Sequence, residues 1–406
     1  MVAERDVLVT GLGCVTPLGG DLDRTWGAAL DGESGAGRLT RFDPGDYGLR
    51  STLACEVDGD VADHERVDDR SMGRFTRLGV VAADEAVADA GLDPESWAGD
   101  RVGTSVATGF GGTPTYEAGV ERVEAGDRVS PRFLVSYLPN MAAGHLSIEF
   151  DARGPNRAST AACAAGAQAI ADAVDDVREG RADVSLAGGA ESCLTPTAMV
   201  GFDAMRALST RNDDPTGASR PFDADRDGFV IAEGAAVLVL EAREHAEQRG
   251  AAADAYAETA GVGLAGDAAH PTRPPADAHG LRRAMTAAAD AAGVDRVDCV
   301  DAHATSTRRG DTHEATAVDA LGDDPLVWAP KSALGHALGA AGAVETALGA
   351  RAVATGTVPP TLNHETPDTD CPVTVRTRPV DLDPDALLCN AAGFGGTNVS
   401  ICLTPA

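Results

Sequence analysis

The sequence predicts a layered α/β protein, because short strand-like runs alternate with longer alanine-rich stretches along the whole chain. Of its 406 residues, 43% are hydrophobic but only 4% are aromatic. A core built from alanine and valine favours helices packed on sheets over an aromatic-rich β-sandwich. The length is sufficient for two domains or for one structure built from two halves.

The individual elements follow from these patterns. The predicted strands are DVLVTGLG (6–13), RVGTSVATG (101–109), DVSLAGGAE (183–191), AAVLVLEA (235–242), CVDAHA (299–304) and NVSICL (398–403). The predicted helices are 73–90, 164–179, 281–292, 313–321 and 338–354. A polar stretch at 209–228 is too long for a simple connection, so we expect it to pack near a functional site.

Two similar segments indicate an internal duplication. Each has a small-residue turn that opens an alanine-rich helix: STAACAAGAQAIADAV (159–174) and PKSALGHALGAAGAVETAL (330–348). We place the boundary near residue 250, which gives an N-terminal half at 1–250 and a C-terminal half at 251–406. No low-complexity linker separates them, so the halves are predicted to be fused back to back.

The charge of the chain is strongly negative, with 63 acidic against 33 basic residues and a net charge of −30. Lys331 is the only lysine. Such a surface is expected in a salt-rich cytoplasm, where screening removes self-repulsion, and it argues against nucleic acid or anionic membrane as partners. The 8 cysteines form no CxxC pair, which is typical of a reduced cytoplasmic protein. We also expect no signal peptide and no membrane span.

Cys163 and His303 are candidate catalytic residues. Cys163 lies among small residues where a helix is predicted to begin, and a helix N-terminus lowers a thiol pKa. The alternative is a buried structural cysteine. His303 ends a predicted strand and is followed by Thr305 and Thr307. That position suits a substrate contact, although a loop histidine bonded to backbone is equally compatible.

Lys331, His336 and a glycine-rich turn complete the set of candidates. A lysine retained against the composition of the chain indicates a compact ammonium in a tight space that a guanidinium does not fit. Gly393, Phe394 and Gly395 precede the last strand, and such glycines let backbone N–H groups point at an oxyanion. A plain glycine turn is the alternative. No ligand spacing supports a metal site.

Taken together, these stretches closely resemble the elongating (type II) β-ketoacyl-acyl carrier protein synthases of the thiolase superfamily. The matching segments are ASTAACAAGAQAI, RALSTRNDDPTGASRPFDADRDGFVIAEGAAVLVLE, AHATSTRRGD, PKSALGHALGAAGAVE and NAAGFGGTNVS. The resemblance covers essentially the whole chain. It implies a thiolase-like fold of five αβαβα layers, made of two duplicated halves with mixed five-stranded sheets, and a homodimer.

The resemblance also implies an activity, a decarboxylating Claisen condensation of an acyl thioester with a malonyl thioester in fatty-acid or polyketide-type synthesis. It implies that Cys163 carries the acyl group, that His303 and His336 stabilise the enolate, and that Lys331 orders the site together with Glu314 and Asp311. Backbone N–H groups of Cys163 and Phe394 would hold the thioester oxyanion. The other implied contacts are Thr305 and Thr307 to the pantetheine arm, Phe394 as a gate, and Phe110 and Phe202 to the substrate.

Three departures from the family pattern bear on specificity: Ala304 in place of a glycine, Arg308-Arg309 in place of a small or apolar pair, and Phe110 in place of a smaller aliphatic. Phe110 predicts a preference for short acyl groups.

The donor is an acyl carrier protein or an acyl-CoA, so no separate cofactor is implied, since the phosphopantetheine arrives on the substrate. Arginines available for carrier docking are Arg66, Arg70, Arg128, Arg132 and Arg206. A non-catalytic partner subunit and another acyltransferase of the same superfamily are the alternatives.

Overall fold

The computed structural model describes residues 5–59, 61–322 and 324–406. The strands are β1 (Val7–Val15), β2 (Gly37–Arg38), β3 (Leu53–Ala54), β4 (Val102–Ala107), β5 (Asn156–Arg157), β6 (Val184–Glu191), β7 (Gly234–Ala242), β8 (Ala257–Gly266), β9 (Cys299–Asp301), β10 (Leu326–Trp328), β11 (Thr357–Val358), β12 (Thr374–Val375), β13 (Val380–Asp381), β14 (Leu387–Gly393) and β15 (Thr397–Thr404). The helices are α1 (Leu22–Leu30), α2 (Arg74–Asp89), α3 (Thr113–Glu124), α4 (Phe133–Tyr137), α5 (Met141–Glu149), α6 (Ala165–Arg178), α7 (Pro196–Ala204), α8 (Arg243–Gln248), α9 (His279–Ala292), α10 (Arg308–Asp319), α11 (Lys331–Leu334) and α12 (Ala341–Thr355).

The sheet topology displays the predicted duplication. The order β5-β4-β6-β7-β1 in the first half matches the order β10-β9-β14-β15-β8 in the second, to which the short strand β12 adds a sixth, outer edge strand. Counted along the chain, both run third, second, fourth, fifth, first, and both mix parallel with antiparallel neighbours. β1 and β8 pair through Leu8–Glu258 and Val9–Ala257, so the two halves form one continuous sheet.

Helices on and between these sheets give the layers. α6 and α12 pack against each other and against strands of both halves, α2 lies on β1, β6 and β7, and α9 lies on β8 and β15. Small residues let the two central helices approach closely. A Cβ on Gly166 would lie 2.9 Å from the Ala343 nitrogen, and one on Gly342 would lie 2.9 Å from the Ala167 Cβ. The alanine- and glycine-rich helices predicted from the sequence are therefore the central layer.

Two predicted helices have different limits in the structure. The helix expected at 313–321 is α10, which begins at Arg308 because the Thr307 side chain caps it by accepting from the Gly310 nitrogen. The helix expected at 338–354 opens with a 3₁₀ turn at Leu338–Ala340 before α12. Within the described residues, no helix is both long enough and apolar enough to cross a membrane.

Candidate active site

Cys163 lies on a strained turn at the start of a central helix. The turn is a single 3₁₀ turn (Ala162–Ala164) that leads directly into α6. Ala162 has a φ of 49°, a left-handed conformation that costs an alanine about 1–2 kcal/mol. Cys163 is 9% exposed and lines a cavity of about 710 Å³. The turn thus holds the Cys163 thiol on the wall of a cavity whose volume is in the range of small-molecule sites.

The charge state of this thiol differs from the sequence expectation. Burial raises the pKa of Cys163 to about 12, and the positive charge of Lys331 opposes that rise only in part. The predicted lowering of the thiol pKa is therefore not supported, because desolvation raises this pKa by more than the Lys331 charge lowers it. Cys163 is therefore a protonated, neutral thiol near neutral pH.

His303 and His336 line the same cavity as Cys163. Their ring centroids are 5.4 Å apart and the ring planes are inclined by 83°. His336 is fixed through its backbone, since its nitrogen donates to the Val230 carbonyl at 2.8 Å. Burial, followed by the charge of Lys331, lowers the pKa of both imidazoles well below 6.5. Both histidines are therefore neutral, and each has one ring nitrogen available as an acceptor.

Glu314 positions the strand end that carries His303. Its Oε1 accepts from the His303 nitrogen at 2.9 Å, and its Oε2 accepts from the Ala304 nitrogen at 2.7 Å. Asn390 on β14 donates to the same carboxylate at 3.1 Å and accepts from the Ser400 hydroxyl. Asn390 was not predicted from the sequence, although it opens the matching segment NAAGFGG.

Lys331 is fully buried, and its direct partner is Glu345 on α12. The charge of Lys331 also lowers the pKa of Glu314, which burial raises, whereas Asp311 faces Arg226, whose Nε lies 3.4 Å away. The joint role of Lys331, Glu314 and Asp311 in ordering the site stays a prediction. Glu345 stands in the quoted segment AGAVE, but nothing in the sequence distinguished it from other acidic residues.

Asp301 is a second residue that sequence reasoning missed. It lies two positions before His303, and both of its carboxyl oxygens are buried without a hydrogen-bond partner in the described structure. Burial and the nearby Glu345 raise its pKa well above 3.8, while Lys331 lowers it. The surroundings of Asp301 therefore favour its protonated form, and the ion pair of Lys331 with Glu345 is the charged pair that acts on it.

The polar stretch at 209–228 packs beside the site, as predicted. The Arg220 nitrogen donates to the Ser306 hydroxyl at 2.9 Å, and Arg226 donates to the Thr307 carbonyl at 3.3 Å. These contacts brace the loop that places Thr305 and Thr307 on the cavity wall, with their hydroxyls 3.0 Å apart. The stretch therefore supports the loop that follows His303.

The glycine-rich turn lies directly against the turn that carries Cys163. A Cβ on Gly393 would lie 2.3 Å from the Ala161 carbonyl oxygen, so only glycine fits there. Gly395 has a φ of 95°, and its nitrogen donates to the Pro271 carbonyl at 2.7 Å. Phe394 lines the cavity and is 41% exposed. The structure thus brings Phe394 beside Cys163, as the sequence predicted.

A row of aromatic rings extends from the histidines to Phe110. Consecutive ring centroids are 5.2 Å apart for His336 and Phe229, 5.3 Å for Phe229 and Phe202, and 5.9 Å for Phe202 and Phe110. Phe202 and Phe229 line the cavity, whereas Phe110 packs behind Phe202 and is 40% exposed. Phe110 therefore reaches the cavity through Phe202. Phe229 was not predicted.

The outer part of the cavity carries arginines that form no ion pair within the described residues: Arg206, Arg273, Arg308 and Arg309. Arg66, one of the arginines expected to dock a carrier, instead pairs with Asp84 and lies over the Phe150 ring at 4.8 Å. Arg66 is therefore engaged within the protein. In the described part of the chain, no group of three or more His, Cys, Asp or Glu side chains has the geometry of a metal site.

Comparison with known proteins assigns this arrangement to a family. The model of the β-ketoacyl synthase N-terminal domain matches residues 4–246, and that of the C-terminal domain matches residues 256–365. A 3-oxoacyl-[acyl-carrier-protein] synthase 2 of Staphylococcus aureus (strain COL) is 41% identical over 409 residues, covering 98% of each chain. The Vibrio cholerae protein of the same name is 41% identical, covering 98% of this chain and 99% of its own.

Solved structures agree with these matches. The ishigamide ketosynthase/chain length factor superposes with a TM-score of 0.92 at 34% identity, over the full length of both chains. A β-ketoacyl synthase from Burkholderia phymatum gives a TM-score of 0.91 at 34% identity, over 99% of this chain and 100% of its own. A type II polyketide ketosynthase bound to its acyl carrier protein gives 0.91 at 31% identity, over 99% and 100%.

Proposed function

This chain belongs to the β-ketoacyl synthase family and catalyses a Claisen condensation in fatty-acid or polyketide synthesis, and we propose that Cys163 is its nucleophile and a malonyl thioester its extender. The observation that carries the proposal is the convergence of Cys163, His303 and His336 on one cavity. Two neutral imidazoles beside a neutral thiol suit a reaction that moves a proton and then stabilises an enolate.

In the first half-reaction, Cys163 takes the acyl group from its carrier. The Sγ–acyl bond forms as the carrier thioester C–S bond breaks, and the thiol proton passes to the departing carrier thiolate. A neutral His336 or His303 is the group available to relay that proton, because Cys163 is not ionised at rest. The Phe394 backbone, held at the turn of the nucleophile by Gly393, would stabilise the tetrahedral oxyanion together with the Cys163 N–H.

In the second half-reaction, the malonyl carboxylate leaves as carbon dioxide and its electron pair forms an enolate. Hydrogen bonds from His303 and His336 to the thioester oxygen would stabilise that charge. The enolate carbon then attacks the acyl–Cys163 carbonyl, the C–S bond to Cys163 breaks, and the thiolate takes up one proton from solvent, which is the proton that the overall condensation consumes. Lys331 supplies a fixed positive charge that keeps both imidazoles neutral, and Glu314 orients His303.

The donor would enter past the arginines of the cavity mouth. The cavity lining includes four arginines that form no ion pair within the described residues and whose guanidinium groups suit the phosphate of a phosphopantetheine arm: Arg206, Arg273, Arg308 and Arg309. Thr305 and Thr307 lie on the wall along which that arm would run. An acyl carrier protein is the favoured donor, since one similar ketosynthase is solved with its carrier. Paired assays with acyl carrier and acyl-CoA donors, on the native chain and an R308A/R309A variant, test this choice.

The acyl pocket would favour short chains. Phe110 backs Phe202, so the two rings close the aromatic end of the cavity. Phe110→Ala is expected to extend the range of accepted acyl lengths in a transfer assay. An unchanged length profile would refute this assignment.

Assembly and environment are also proposals. Exposed apolar residues of α3 and α4, including Tyr116, Val123 and Leu134, lie on the half whose sheet ends at β5, an edge strand. We propose that this face is buried in a homodimer, which sedimentation at several concentrations would test.

The acidic surface and free thiols fit a cytoplasm of high salt. A thermal transition that does not rise with added KCl would contradict that environment.

The decisive experiment incubates purified protein with malonyl and acyl thioesters at high salt, with Cys163→Ala as the control. A 3-ketoacyl product that requires Cys163 is the expected result. Carbon dioxide release without that product would identify a decarboxylase or the need for a partner subunit. Absence of both reactions would favour the acyl-binding, non-catalytic alternative.

A further inference from the structure

Glu191, at the end of β6, is a buried carboxylate that the reaction does not use. Its side chain has no solvent exposure. Oε1 accepts from the Thr108 hydroxyl at 3.0 Å, and Oε2 accepts from the Gly109 nitrogen at 2.7 Å. The Phe110 nitrogen donates at 3.2 Å and the Gly339 nitrogen at 3.2 Å, both to Oε2. One carboxylate thus joins the 108–111 loop of the first half to the turn after His336 in the second.

Close packing leaves little room for these segments to rearrange around Glu191. A Cβ on Gly339 would lie 2.1 Å from the Gly109 nitrogen and 2.7 Å from the Glu191 Oε2. A Cβ on Gly189 would lie 2.8 Å from the Gly339 carbonyl oxygen. Glycine at these positions lets both backbones approach the carboxylate, so three of its donors are main-chain N–H groups and the fourth is the Thr108 hydroxyl.

The charge of Glu191 is held by hydrogen bonds alone, since no arginine, lysine or histidine pairs with it in the described structure. Burial raises its pKa to about 7, and the donors from Gly109, Thr108, Gly339 and Phe110 oppose that rise. The titratable groups that sense its charge are the thiols of Cys163 and Cys193, whose own pKa values burial raises well above the neutral range. Ionised Glu191 therefore accepts every donor, whereas its protonated form has fewer lone pairs to offer.

We propose that Glu191 is a positioning residue that sets the acyl-length limit, by holding the loop that bears Phe110 against the turn that follows His336. The inference rests on the proposed acyl pocket, because Phe110 acts on the cavity through Phe202. When Glu191 releases the loop, the Phe110 ring loses its fixed position behind Phe202 and longer chains enter.

The test measures alkylation of Cys163 by N-butyl and N-octyl iodoacetamide, with intact-mass detection and Cys163→Ala as the site control. This readout needs no catalytic turnover. In the native protein the butyl reagent is expected to react faster by about tenfold or more. E191Q keeps the shape of the side chain but points an amide donor at main-chain donors. In this variant the ratio of the butyl to the octyl alkylation rate is expected to fall to about threefold or less. F110A is expected to lower this ratio to a similar extent. The double variant F110A/E191Q is expected to have the same ratio as F110A alone.

The matched control is E241Q, which neutralises another fully buried carboxylate on the neighbouring strand β7, outside the cavity. It should leave the ratio at the native value. In the native protein the ratio should fall as pH drops through about 7, and in E191Q it should be flat. The role of Glu191 is overturned if the butyl-to-octyl rate ratio of E191Q equals the native ratio while that of F110A has fallen. If E191Q is insoluble, T108V removes one donor from the same carboxylate and is judged by the same ratio.

The two levels of inference fail separately. A protein that condenses no thioester refutes the proposed function, yet the alkylation ratio still reports on Glu191. An F110A ratio equal to the native one refutes the acyl pocket and, with it, the effect assigned to Glu191.

Discussion

Replacing Lys331 with methionine removes the cation that, within the part of the chain the structure describes, pairs with the buried Glu345. The Glu345 carboxyl then has to be protonated in the folded state, because an unpaired buried carboxylate costs far more. Its ordinary pKa is 4.5, so protonating it at pH 7.5 spans three pH units and costs about 4 kcal/mol. At pH 5.5 the same step spans one unit and costs about 1.4 kcal/mol.

The comparison that isolates this cost is K331M against K331M/E345Q, since the glutamine is neutral at every pH. The raised pKa of Glu345 in the folded state means that K331M loses stability as pH rises above 4.5. Denaturant unfolding in high salt should therefore give a difference of about 4 kcal/mol at pH 7.5 that shrinks to about 1.4 kcal/mol at pH 5.5. A difference that does not change with pH would refute the pairing of Lys331 with Glu345 as the source of the cost.

Three further predictions concern the same site. Lys331→Arg should abolish most condensing activity, because a planar guanidinium does not fit the space of the ammonium beside Glu345, and full activity in the condensation assay would contradict this. The rate of Cys163 alkylation by iodoacetamide should rise about tenfold per pH unit from pH 7 to 10, since its raised pKa keeps the thiol protonated, and a plateau below pH 9 would count against it. Glu314→Gln should lower the free energy of unfolding by about 1–3 kcal/mol and reduce kcat more than it raises KM, because the strand end carrying His303 loses an acceptor; an unchanged kcat would remove Glu314 from the positioning of His303.

The fold was predictable from the sequence because its signals are local and repeated. The alanine-rich runs at 164–179 and 338–354 mark the two central helices, and each has the small residues that close packing requires. The start of α10 was missed because a threonine at position 307 is compatible both with a substrate contact and with a helix cap. The structure shows the cap, since the Thr307 side chain accepts from the Gly310 nitrogen. The strand order was inferable only through the family resemblance, since neither composition nor periodicity specifies which strands are neighbours.

The site was predictable where a residue differs from the composition around it and unpredictable where it does not. Lys331 is the single lysine of the chain, so its retention against that composition is informative from the sequence alone. The buried carboxyl groups of the site could not be recognised in this way, because they do not differ from the composition of the chain. Asp301, Glu191 and Glu345 are three of 63 acidic residues, so composition does not single them out. Burial in the folded chain separates these three from the solvated majority, and only the tertiary packing decides it. A strongly acidic composition thus reveals a functional cation and hides a functional carboxylate.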